Sequence, residues 1–158
     1  MPPEVLIILG SKSDLPVGQK AKDVLTELGV SSTIIVASAH RTPKLVQETV
    51  EKSDARVFIA VAGMSAALPG AIAAHTIKPV IGVPVSGKVN LDAVLSIVQM
   101  PPGIPVAAVG LDRGDNAALL AAEILALGNP KLAKRLEAYR KKQELKVHED
   151  SASIQGEA

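Results

Sequence analysis

Five short apolar runs alternate with stretches of helical spacing along this chain, and that alternation constrains the fold more than any other feature. Val5-Leu6-Ile7-Ile8-Leu9 is continuously apolar and stops at Gly10. A strand covered on both faces reads this way, because neither face meets water. Residues 16–28 follow with Val17, Ala21, Val24, Leu25 and Leu28 at helical intervals. Ser13 or Asp14 can cap that helix and Gly29 can end it. Further strands are predicted over 32–37, 56–62, 80–83 and 105–109. Further helices are predicted over 43–50, 65–75, 91–97, 116–127 and 130–146, the second of these broken by Pro69-Gly70. Crossovers of this length join parallel strands and put helices on both faces of a sheet. The expected fold is α/β: a three-layer, flavodoxin-like parallel five-stranded sheet in the order 2-1-3-4-5, with an extra C-terminal helix. Residues 1–147 are expected to form a single catalytic domain, and the polar tail 148–158 to fray.

Helix 116–127 has almost no polar face: Ala117, Ala118, Leu119, Leu120, Ala121, Ala122, Ile124, Leu125, Ala126 and Leu127 surround it. A helix apolar all round is buried, and in a chain of 158 residues burial between subunits is expected, hence a homo-oligomer. Charge narrows the function classes. The formal net charge is +1, but residues 131–146 hold seven Lys and Arg against two Glu, while the tail carries Glu149, Asp150 and Glu157. The basic stretch reads as a solvated or subunit-facing helix face. Phe58 and Tyr139 are the only aromatic side chains, too few for the stacking platforms of single-strand binders, so no nucleic-acid partner is expected. There is no cysteine, hence no disulfide framework or thiolate metal site. Met1-Pro2-Pro3-Glu4 lacks a basic leader, the run to Leu9 is too short for a signal core, and nothing approaches the ~20 apolar residues of a membrane helix. A soluble, cytoplasmic protein without a membrane partner is expected.

In open parallel sheets the ligand sits beyond the carboxyl ends of the strands. Those ends here are Gly10 to Asp14, Ser38 to Pro43, Ala62 to Ala67, Pro84 to Lys88, and Gly110 onward. Gly10-Ser11-Lys12-Ser13-Asp14 combines a tight turn with a helix amino terminus, which suits a phosphate, and Asp14 can accept from ribose hydroxyls. The bland alternative is a capped helix start. Ser38-Ala39-His40-Arg41-Thr42-Pro43 carries the one histidine at a strand carboxyl end. His40 can give and take a proton near neutral pH, and Arg41 can bind an oxyanion through two parallel hydrogen bonds. Here the alternative is a capping loop with an incidental histidine. Ala62-Gly63-Met64-Ser65-Ala66-Ala67-Leu68-Pro69-Gly70 lets a ligand approach the backbone, and the N–H groups of Ser65 to Ala67 are candidate anion donors. Small residues there also suit close helix–sheet packing. His75 and His148 read as solvated, and the three histidines lack metal-ligand spacing. Ala62-Gly63-Met64 lacks the acceptor aspartate of a phosphoreceiver, and these loops hold no aromatic ring to stack a flavin.

These segments, in order over about residues 4–128, resemble the N5-carboxyaminoimidazole ribonucleotide mutase family of purine biosynthesis, also described as the catalytic subunit of phosphoribosylaminoimidazole carboxylase. Beside the first two loops, the resemblance rests on Leu68-Pro69-Gly70, Ser96-Ile97-Val98-Gln99-Met100-Pro101, Gly103-Ile104-Pro105-Val106 and Asn116-Ala117-Ala118-Leu119-Leu120-Ala121-Ala122. It implies conversion of N5-carboxyaminoimidazole ribonucleotide to 4-carboxy-5-aminoimidazole ribonucleotide, in a homo-octamer whose sites draw on more than one subunit. It implies that Ser11, Asp14 and Arg41 hold the ribose phosphate and that His40 is the acid–base, with no metal or cofactor and with carbon dioxide as intermediate or substrate. Ser13, Ser38, Gly63, Ser65, Ala66 and Leu68 complete the expected substrate contacts. Bacterial mutases usually read Gly-Gly-Ala-Ala-His-Leu-Pro-Gly after the third strand; here Ala67 stands in the histidine's place. The related carboxylases, which take carbon dioxide and the uncarboxylated ribonucleotide, also lack that histidine. They usually carry Lys after the loop histidine and Arg-Met-Pro further on, where this chain has Arg41 and Gln99-Met100-Pro101. The expectation is therefore the mutase, with the direct carboxylase as second reading and a silent nucleotide-binding or assembly protein as third.

Overall fold

The structure is a computed structural model and describes residues 2–156. Its strands are β1 (Val5–Leu9), β2 (Ser32–Val36), β3 (Val57–Ala62), β4 (Val80–Pro84) and β5 (Ala107–Ala108). They form one sheet in the order β2-β1-β3-β4-β5, and every pair is parallel. The helices are α1 (Leu15–Glu27), α2 (Pro43–Lys52), α3 (Leu68–Ala73), α4 (Asn90–Val98), α5 (Gly114–Ala126) and α6 (Pro130–Gly156). Side chains of a strand alternate between faces, and the core divides accordingly. Val5, Ile7, Leu9, Val57, Ile59, Val61, Ile81 and Val83 pack under α1, α5 and the start of α6. Leu6, Ile8, Phe58, Ala60, Ala62 and Val80 pack under α2, α3 and α4. The expected layers and strand order are those found.

Several boundaries differ for local reasons. The predicted fifth strand shrinks to two exposed residues at the sheet edge. Pro105 brings no N–H to a ladder, and Val109 donates to the Gly82 carbonyl as the chain leaves. Helix α3 starts at Leu68, not Ser65, because Ser65 takes a left-handed backbone (φ +50°) and Pro69 suits the first turn. The apolar α5 is packed in large part by its own chain. Its Ala117, Ala118, Ala121, Ala122 and Leu125 are buried against α1, α6 and the sheet, and Leu127 alone of its apolar set is fully exposed. Leu119, Leu120, Ile124 and Ala126 stay half-buried in the single chain.

Nor does the described part of the tail fray: α6 continues to Gly156, and Glu157 and Ala158 lie outside the described residues. No proline or glycine interrupts the chain between Pro130 and Gly156, and Glu144 and His148 pair one turn apart. Among the described residues of α6 only Leu132 and Leu136 are buried, so its outer half projects from the body. Arg140 and Lys142 tether it through Glu123 (2.7 Å) and Glu27 (2.8 Å). No helix among the described residues is long and apolar enough to cross a membrane.

Candidate active site

The carboxyl ends of β1 to β4 open into a cleft of about 740 Å3. Four loops line it. The turn after β1 is built by a reciprocal pair of hydrogen bonds. Ser11 accepts at its side chain from the Ser13 N–H, and Asp14 Oδ2 accepts from the Ser11 N–H at 3.0 Å. The Ser13 hydroxyl also donates to Ser11 Oγ at 3.0 Å. Ser11 thus caps a single 3-10 turn; Asp14 is the N-cap of α1, as one of the two expected, but its side chain makes no capping bond there. Asp14 is a buried charged side chain, 7% exposed. Burial raises its carboxyl above the usual value, opposed by the Ser11 N–H and by the Arg41 charge.

The loop after β2 is tied by its own side chains. The Thr42 hydroxyl accepts from the Ser38 N–H at 2.9 Å, and the Thr42 N–H donates to the Ser38 carbonyl at 2.9 Å. Arg41 donates from Nε to Ser38 Oγ (3.3 Å) and from Nη2 across to the Gly10 carbonyl (3.0 Å). Arg41 thus spans the two neighbouring loops. His40 stands exposed at the tip, and its ring makes no hydrogen bond to the described residues. Both ring nitrogens are open to a ligand in the cleft.

The remaining walls come from Ala62, Gly63, Met64, Ser65, Ala67 and Leu68 after β3, and from Val85 to Val89 after β4. The expected donors of the β3 loop are mostly spent inside the protein. The Ser65 N–H donates to Asp92 Oδ2 at 2.8 Å, and the Ala67 N–H to the Ser65 carbonyl. The cleft brings together Ser11, Ser13, Asp14, Ser38, His40, Arg41, Gly63, Ser65 and Leu68. Ala66, 1% exposed, is packed in the core behind the cleft rather than lining it. His75 lies away from the cleft, where Nδ1 is 3.5 Å from Glu51, and His148 lies on α6.

Three residues escaped the sequence reading. Lys88 lines the cleft on the β4 loop. Asp92 braces the β3 loop, and Asp112 braces the β4 loop by accepting from the Ser86 N–H (2.9 Å) and hydroxyl. Lys88 sat in a loop already placed at the ligand end, and that was its one signal. Among the described residues no group of His, Cys, Asp and Glu is arranged to hold a metal ion.

Fold and cleft together define an open α/β protein whose candidate ligand site sits at the carboxyl ends of the strands, with a hydroxyl-rich turn, an arginine and an unengaged histidine facing one space. The chain belongs to the AIR carboxylase family, whose model matches residues 4–146. It is 56% identical over 151 residues to the N5-carboxyaminoimidazole ribonucleotide mutase of Methanocaldococcus jannaschii, covering 95% of this chain and 96% of that one. It is 52% identical to the enzyme of the same name from Pyrococcus abyssi, over 87% of this chain and 82% of the relative. Among solved structures, PurE of Treponema denticola superposes with a TM-score of 0.84 at 30% identity, covering 95% of this chain and 97% of that one.

Proposed function

We propose that this chain is a mutase of purine biosynthesis that converts N5-carboxyaminoimidazole ribonucleotide to 4-carboxy-5-aminoimidazole ribonucleotide, with His40 as its acid–base. The observation that carries the reading is the free His40 ring in the same cleft as the Ser11–Asp14 turn and Arg41. The naming of relatives at 42–56% identity over most of their length points the same way. Ser11, Ser13 and Arg41 receive the phosphate, and Asp14 accepts from ribose hydroxyls. Ser38 acts by fixing Arg41, and Gly63, Ser65 and Leu68 form the floor under the base.

The chemistry needs one proton moved twice. His40 protonates the exocyclic nitrogen that bears the carbamate, the N–C bond breaks, and carbon dioxide is released within the cleft. The enamine carbon of the ring attacks that carbon dioxide and forms the new C–C bond. Removal of the ring proton by His40 restores aromaticity and returns the imidazole to its starting state. A positioned acid–base of this kind contributes about 10²–10⁴-fold. We place the enzyme in the cytoplasm as a homo-oligomer, in the family's octameric form, with one catalytic domain per chain.

A second reading is supported by Ala67, which lines the cleft and brings no titratable group where the bacterial mutases carry histidine. That favours direct carboxylation of the uncarboxylated ribonucleotide. Replacing His40 by Asn tests the assignment of the acid–base. The expected result is loss of turnover by about two orders of magnitude or more, with ribonucleotide affinity retained. Turnover close to the parent's would remove His40 from the mechanism.

A further inference from the structure

The β4–α4 loop forms one wall of the cleft, and its shape is set from outside. Ser86 gives Asp112 both its N–H, at 2.9 Å from Oδ1, and its hydroxyl. In return the Asp112 N–H donates to the Pro84 carbonyl at 2.9 Å, so the two loops are bound in both directions. Gly87 next donates to Asn90 Oδ1 at 2.7 Å. Asp112 holds φ +59° and Ser65 φ +50°, the two left-handed non-glycine residues among those described. Such backbones persist where surrounding contacts over-determine them, and they gather at functional sites. Ser65 lines the cleft, and Asp112 is bonded to a residue that does.

Lys88 is the residue this arrangement presents. Two basic side chains besides His40 line the cleft, Arg41 and Lys88. Arg41 is engaged with the Gly10 carbonyl and Ser38, whereas Lys88 donates to no atom among the described residues. The substrate of the proposed reaction carries two anionic groups, a phosphate and a carboxyl group that changes its point of attachment. The serine turn and Arg41 account for the first, and Ala67 offers the second no polar group.

We infer that Lys88 is the seat of the migrating carboxyl group, and that Asp112 is a positioning residue which, through Ser86, holds the Lys88 segment at the cleft wall. An ammonium on a flexible stem suits the task. It is a compact charge with three donors, and it can follow a carboxylate from nitrogen to carbon without the fixed fork of a guanidinium. The inference rests on the function proposed above and names the group that recognises its carboxyl.

Calorimetric titration of two ribonucleotides tests it, one being 4-carboxy-5-aminoimidazole ribonucleotide and the other the same molecule without its carboxyl. Lys88→Met is expected to weaken the carboxylated ligand by about tenfold or more, the loss of a charge-assisted hydrogen bond, and to leave the other nearly unchanged. Asp112→Ala is expected to show the same selective loss at about threefold to tenfold. Asp112→Asn, which keeps an acceptor for Ser86 and tolerates a left-handed backbone, is expected to recover most of it. Should Asp112→Ala not fold, Ser86→Ala reports on the same contact. Equal loss for both ligands in Lys88→Met, or no loss, overturns the carboxyl seat. Selective loss in Lys88→Met without any in Asp112→Ala or Ser86→Ala overturns the positioning role. An active parent with no selective loss defeats this inference alone, whereas an inactive parent with selective loss defeats only the functional reading.

Discussion

At the scale of single residues, the cleft separates side chains that hold the frame from those left for a ligand. Ser38, Arg41 and Thr42 spend hydrogen bonds on one another and on Gly10, and His40 alone in that loop spends none. The two bracing aspartates of known sign make opposite demands on pH. Burial raises the Asp14 carboxyl above 3.8, so its charged form is carried at a cost that is full near neutral pH. That cost shrinks as pH falls through the raised folded value and is gone below 3.8. The two Ser86 hydrogen bonds lower the Asp112 carboxyl below 3.8. Its stabilisation is therefore present above 3.8 and is lost as pH falls through the lower folded value. Thermal melts across this range are expected to show Asp14→Asn at or above the parent at neutral pH. Asp112→Asn should lie below it, with both gaps closing in acid; a gap that widens in acid contradicts the assignment. His40, Arg41 and Ser11 were legible in the sequence because each directly follows a recognisable strand. Asp92 and Asp112 were not, because their partners lie 27 and 26 residues away and such contacts leave no local pattern.

At the scale of elements, the site depends on how closely α1 and α5 pack, since the hydroxyl-rich turn leads directly into α1. Gly114 opens α5 against the Val17 carbonyl, and a Cβ added there would fall inside contact distance of backbone atoms of α1. Backbone cannot rotate away as a side chain can. Gly114→Ala is accordingly expected to destabilise the chain by about 1–3 kcal/mol, read as a lowered denaturant midpoint. Gly128→Ala, which meets nothing within 4 Å, is expected to leave the midpoint in place. A Gly114→Ala variant as stable as the parent would show that the two helices are not in close contact. Elements with uninterrupted apolar runs, β1, β3 and β4, could be read from the sequence. β5 was read within 105–109, but its extent was not, because at the sheet edge beside Pro105 only two residues join the ladder. The last turns of α6, 148–156, were read as a tail because their residues are polar, although nothing in them breaks a helix. The burial of α5 was legible from its apolar ring, whereas single-helix periodicity says nothing of how many neighbours the same chain supplies.

At the scale of the whole molecule, the sheet order places the β1 and β2 loops side by side and the β3 and β4 loops opposite, which makes a cleft with two unlike walls. One wall carries Ser11, Ser13, Ser38, Asp14, Arg41 and His40. The other carries Ala67, Leu68 and Lys88. On the function proposed above, this cleft moves a carboxyl group already present on its substrate. Parallel assays of the pure chain test it, one with N5-carboxyaminoimidazole ribonucleotide and one with the uncarboxylated ribonucleotide plus bicarbonate. Turnover is expected with the carbamate substrate, and turnover confined to the ribonucleotide with bicarbonate would show that the cleft fixes carbon dioxide directly.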